Sequence, residues 1–216
     1  GTLVDARRVN EEYKAWITTQ PHRYTSVREE LADFTRYTDA YQRYQSVISS
    51  SLPSTDLRRI LIDLDVSTAL PLVLYLELDA GLTDEQRKEC LGILESFIAR
   101  RAFTREETKE YNKFFIEIVA TLKDMKGEAV KPALIKKLLG GKGTTRVWPS
   151  DEEIFDKAIS RPAYTTIPKP ALRLMLERLE LAQRTKKSES TDLPPGLQVE
   201  HIMPERWSTH WTLQEK

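Results

Sequence analysis

A chain of 216 residues with 40% hydrophobic and 31% charged residues can bury one substantial core, or one core and a piece of a second unit. Its 33 Lys and Arg balance 33 Asp and Glu, so no overall positive field draws it onto nucleic acid, and any DNA contact must come from a local patch or from parts outside the chain. A lone cysteine, Cys90, excludes an internal disulfide and a multi-cysteine zinc site, and it fits a cytoplasmic setting.

Along the chain, Val9, Tyr13, Trp16 and Ile17 mark a short amphipathic helix that ends near Gln20, because Pro21 disfavours helical geometry in the residue before it. Val27, Leu31, Phe34, Tyr37, Tyr41, Tyr44 and Val47 follow at spacings of four and three, which predicts a long helix with one apolar face. Pro53 and Ser54 break that pattern, and Leu57, Ile60, Leu61 and Leu64 resume it. Pro71 then suits a first helical turn and opens a nearly all-apolar helix through Leu78, expected at the centre of the core and terminated by Gly81. The longest apolar stretch, Ala69 to Leu78, is far short of the roughly 20 residues that span a bilayer, so no membrane attachment is expected.

Thr83 with Gln86, Thr104 with Glu107 and Ser150 with Glu153 share the capping-box pattern, in which two side chains satisfy free N–H groups at the start of a helix. Each precedes helical periodicity, such as Tyr111, Phe114, Phe115, Ile118 and Val119. A helix near residues 128–139 leads into a Gly-rich loop, 140–149, whose GGKG lacks the spacing of a phosphate-binding loop. From Pro170 to Arg184 a further helix is expected to turn Leu172, Met175, Leu176, Leu179 and Ala182 inward. Polar residues and a Pro-Pro pair over 185–195 read as a linker, and Gly196 to Met203 reads as a strand closed by Pro204. Neither an internal repeat nor a low-complexity tract is present.

Two residues stand out chemically. Glu200 and His201 lie side by side at the expected strand end, where an imidazole can deprotonate water and a carboxylate can bind a cation. Neighbouring strand residues face opposite sides, so the pair serves one site only where the strand bends, as Pro204 would allow. The plain alternative is a hydrogen-bonded, catalytically silent histidine. Trp207 and Trp211 have the spacing of core aromatics on a helical turn, and His210 suits a packing or surface role as well as a metal-ligating one.

The run Gly-Leu-Gln-Val-Glu-His-Ile-Met-Pro-Glu-Arg-Trp-Ser-Thr-His-Trp, residues 196–211, resembles the start of the HNH nuclease domain in GmrSD-type modification-dependent restriction endonucleases. Leu94-Glu-Ser-Phe-Ile-Ala-Arg-Arg101, Tyr111-Asn-Lys113, Trp148-Pro-Ser-Asp151, Tyr164 and Leu174-Met-Leu-Glu-Arg-Leu-Glu180 are similar, in order, to the helical region of that family. The resemblance implies a mainly α fold: a helical domain over 1–184, a linker over 185–195, and over 196–216 the truncated start of a ββα-metal (HNH) nuclease. It makes His201 the general base and Glu200 a metal ligand or an orienting group. It also implies a divalent metal, Mg²⁺ or Mn²⁺, in the complete nuclease and none bound to this fragment. DNA is the expected partner of the complete protein.

Arg100 and Arg101 can touch phosphate through their guanidinium groups, or pair with acidic neighbours, and the structural role is the favoured expectation. The family's nucleotide-hydrolysing domain with its Asp-Gly-Gln-Gln-Arg motif is absent from the sequence, as is the Leu-Gly-Asn-Leu-Thr stretch that continues its nuclease fold. The expectation is therefore a fragment of a phage-defence endonuclease, inactive alone. A non-catalytic helical module coupling a sensor to an effector is the alternative, and the balanced charge and capped amphipathic helices suit it equally.

Overall fold

The computed structural model describes residues 6–19, 23–45, 56–143, 145–185, 193–194, 196–200 and 206–210. Within them the chain is mainly helical and contains no strand. No helix among them is long and apolar enough to cross a membrane.

Helix α1 (Val9–Thr19) and α2 (Val27–Gln45) lead to α3 (Leu57–Asp63), α4 (Leu70–Leu78) and α5 (Asp84–Thr104). The all-apolar first turns of α4 place Leu72 and Val73 fully out of solvent, with Pro71 at the start of the helix where its missing N–H costs nothing. This helix packs against α2, α5 and α6 (Tyr111–Leu122), the central position its composition predicts. It ends at Leu78, and Gly81, at φ +61°, forms the turn beyond it.

Helix α5 is the spine of the molecule. Its N-terminus is held by the predicted capping box: the Thr83 N–H donates to Gln86 Oε1 at 3.0 Å, and the Gln86 N–H donates to Thr83 Oγ1 at 3.3 Å. Helices α3, α4, α7 (Val130–Leu139), α8 (Asp151–Ser160) and α10 (Lys169–Gln183) all pack on it, and a single turn, α9 (Ala163–Thr166), precedes α10. Phe97 sits where these layers meet, its ring 5.6–6.3 Å from those of Trp148, Phe114, Tyr111 and Phe115. Burying each such aromatic contributes on the order of 1.5–3 kcal/mol, so this cluster joins α5, α6 and the loop before α8 into one body.

Several expectations are corrected. Thr104 caps no helix: it is the last residue of α5, its hydroxyl donates to the Arg100 carbonyl at 3.1 Å, and Arg105 leaves the helix in the left-handed region at φ 60°. A Thr-x-x-Glu pattern is equally compatible with a helix end, because a threonine hydroxyl can bond back to the preceding turn. The inward face of α10 consists of Ala171, Leu172, Leu174 and Glu177, while Leu176 and Leu179 are about half exposed. The face turns because Glu177 points inward to an arginine, which apolar periodicity does not register. On α2 only Ala40 and Tyr44 are buried; Val27, Leu31 and Phe34 remain exposed.

The predicted strand over 196–203 is described only through Glu200, and that part has no ladder partner among the described residues. Val47, Pro53, Ser54, Pro204, Trp211 and most of the 185–195 linker lie outside the described residues.

Candidate functional site

The approach to Glu200 is anchored by one side chain. Val199 packs on a small second core made of Phe103 at the end of α5, Ile167 between α9 and α10, and Ala171 and Leu172 in the first turn of α10. Gly196, at φ +79°, turns the chain just before it, and Glu200 is exposed just after it. His201 lies outside the described residues. Trp207 opens a four-residue helix, α11 (Trp207–His210), and is partly buried.

Among the described residues no group of three or more His, Cys, Asp or Glu is arranged to hold a metal ion. Glu200 supplies one exposed carboxylate, an oxygen donor of the kind hard cations accept, but a single donor does not make a site. The described residues therefore do not by themselves fit a metal.

Upstream, the motifs quoted for the resemblance converge in space. Arg101 is fully buried: its Nε donates to Tyr111 Oη at 2.9 Å, its Nη1 to the Val147 carbonyl at 2.7 Å and its Nη2 to the Glu107 carbonyl at 2.5 Å. Its guanidinium also stacks 5.4 Å from the Phe97 ring centroid. Burial pushes the Tyr111 phenol above its ordinary pKa, opposed by the Arg101 charge. Arg100 lies alongside, donating to the Pro149 carbonyl at 3.0 Å and pairing with Asp151, its guanidinium 6.0 Å from the Trp148 ring centroid. The two arginines clamp residues 147–151 onto α5 and α6, which is the structural role favoured for them on sequence grounds.

A second set of charges, which the sequence did not single out, ties α10 to α3 and α5. Arg59, only 8% exposed, donates to Glu177 at 2.8 Å and to Asp63 at 3.3 Å, and Arg173 reaches Asp63 at 2.6 Å. Arg178 pairs with Glu95, whose carboxyl is nonetheless raised above its usual range because burial disfavours its charge more than Arg178 restores it. The i,i+4 pairs Arg59–Asp63 and Arg173–Glu177 are visible in the sequence, but their meeting across two helices is not. Beside this network, Leu64, Phe103, Phe155, Met175 and Leu179 line a groove of about 740 Å³ between α5, α8 and α10.

Residues 148–216 match the family model for the C-terminal domain of GmrSD restriction endonucleases. Over that segment the chain is similar to GmrSD restriction endonucleases. The matched segment opens at Trp148, inside the loop that Arg100 and Arg101 clamp, and runs through α8, α9 and α10 to the Glu200-His201 pair and beyond. It thus includes the α8 and α10 side of the groove and, of the small core that anchors Val199, Ile167, Ala171 and Leu172 but not Phe103. No curated protein and no solved structure matches the chain.

Proposed function

We propose that this chain is part of a phage-defence DNA endonuclease that hydrolyses phosphodiester bonds in foreign or modified DNA, with His201 as general base. The observation that carries this reading is the GmrSD C-terminal match over a segment containing Glu200-His201. Hydrolysis joins a water oxygen to phosphorus and releases the sugar oxygen; the His201 imidazole takes the proton that the water loses. Glu200, beside it, orients the imidazole or contributes an oxygen donor to a divalent cation, Mg²⁺ or Mn²⁺, in the complete nuclease. DNA is the substrate of the complete protein, and a nucleotide-hydrolysing domain is its partner unit. Arg100 and Arg101 serve the reaction indirectly, by fixing the start of the GmrSD-type segment to the helical body.

The test is cleavage of modified duplex DNA by the full-length encoded protein with Mg²⁺ or Mn²⁺. His201→Ala is expected to lower the rate by about 10²-fold or more, the usual worth of a positioned base. Undiminished cleavage would remove His201 from the mechanism.

The second reading is a non-catalytic helical module, favoured by the apolar groove and by the exposed Phe155 and Ile159 on α8, at 64% and 69% exposure. It requires that the gene encode no Gly-Asn-Leu stretch after codon 216, which sequencing the locus decides.

A further inference from the structure

Between Glu128 and Asp151 the sequence has no acidic residue and five basic ones: Lys131, Lys136, Lys137, Lys142 and Arg146. In a chain of zero net charge this asymmetry is local, and the fold concentrates it. Lys136 and Lys137 occupy the last turn of α7, which packs on α6. The loop that follows doubles back on itself: a Cβ at Gly141 would collide with the Arg146 carbonyl, and the N–H groups of Arg146 and Val147 donate to the Gly143 carbonyl at 3.2 and 3.1 Å. This fold holds Lys142 out in solvent and carries Arg146 back over α6, where it bonds Glu117 at 2.6 Å and Glu110 at 3.2 Å. Lys113 and Lys137 both act on the Glu117 carboxylate, so α6, α7 and the loop share one cationic face.

Lys109, Lys113, Lys136, Lys137 and Lys142 are all exposed, and the carboxylate that Lys113 and Lys137 act on, Glu117, is already bonded to Arg146. Helix electrostatics account for Lys136 and Lys137, which sit at the negative end of α7. Lys109 and Lys113 flank the N-terminus of α6, whose cap residue Glu110 bonds Arg146. The acid-free run from Lys131 to Arg146, with the exposed lysines beside it, gives this face a local positive excess that suits an anionic partner.

We propose that the face carrying Lys113 on α6, Lys136 and Lys137 on the last turn of α7, and Lys142 just after it binds the phosphate backbone of duplex DNA without reading its sequence. This rests on the endonuclease reading, because that reading supplies the polyanion. Phosphate contacts of this kind hold a protein in register on the duplex and leave specificity to other parts.

The experiment measures binding of a fluorescent unmodified duplex to the full chain by anisotropy over a range of salt concentrations. The variant Lys136→Ala/Lys137→Ala/Lys142→Ala is expected to bind about tenfold or more weaker at low salt, with the slope of log K against log salt reduced by about 2–3, because each phosphate that a lysine no longer neutralises removes about 0.9 from it. The control Lys14→Ala/Arg28→Ala, on α1 and α2, is expected to match the wild type. Equal affinity and slope for the triple variant would overturn the assignment of this face. Absence of duplex binding by the wild type at low salt would overturn it too, and capture of poly-glutamate instead would point to an acidic protein partner. Failure of the full-length protein to cleave modified or unmodified duplex DNA with Mg²⁺ or Mn²⁺ would sink the endonuclease reading while leaving the binding result intact, so the two failures are distinguishable.

Discussion

Arg101 shows how a single residue can look like a ligand-binding group in sequence and act as a structural one. Its donors reach Tyr111 Oη and the Val147 and Glu107 carbonyls inside the protein. Arg101→Leu leaves those acceptors buried without a donor, and is expected to cost about 3–5 kcal/mol, read as a lower urea midpoint. Arg100→Ala removes a partly exposed pair with Asp151, and under the same assay is expected to cost no more than about 1–2 kcal/mol. Arg146 offers a cleaner electrostatic readout. Its hydrogen bond holds the Glu117 carboxyl below its usual value, so the stabilisation from this pair is present above the ordinary carboxylate range and lost as pH falls through the lowered pKa. Carbon-detected NMR titration of Arg146→Ala is expected to return Glu117 upward; an unchanged midpoint would remove Arg146 as the cause.

At the scale of elements, helix existence was legible where local chemistry acts alone. Thr83-Gln86 and Ser150-Glu153 form the capping boxes their spacing predicts. Pro71 starts α4 as its geometry demands. Which face of a helix turns inward was less legible, as α10 shows. Leu174 is 6% exposed and Leu176 is 45% exposed, although both are apolar and only two residues apart. Leu174→Ala is therefore expected to destabilise by about 2–5 kcal/mol and Leu176→Ala by under about 1 kcal/mol, compared by thermal unfolding. Equal costs would mean that α10 is rotated from the orientation described. In the loop after α7, Gly141→Ala is expected to lower the melting temperature, because the added methyl must displace the Arg146 backbone.

For the whole molecule, stability is expected to be graded outward from α5. Amides in α4, α5 and α6, whose Leu72, Phe97 and Ile118 are fully buried, should show the strongest hydrogen-exchange protection, and those of α1, which buries no residue, the weakest. Uniform protection across α1 and α5 would contradict that gradient. The candidate site was legible only in part. Glu200-His201 stands out in the sequence, but nothing there foretells that Val199 docks on Phe103, Ile167, Ala171 and Leu172, residues far away along the chain. The sequence by itself determined the mainly helical class, the capped helix starts, the central α4 and the similarity of the C-terminal segment to GmrSD endonucleases, because these depend on short-range spacing and ordered motifs. Only the tertiary structure decided the inward turn of Glu177 toward Arg59, the burial of Arg101 and the gathering of Lys113, Lys137 and Arg146 around Glu117. Those outcomes depend on charges meeting across helices, and a linear pattern carries no information about which distant partner will compensate a buried or crowded charge.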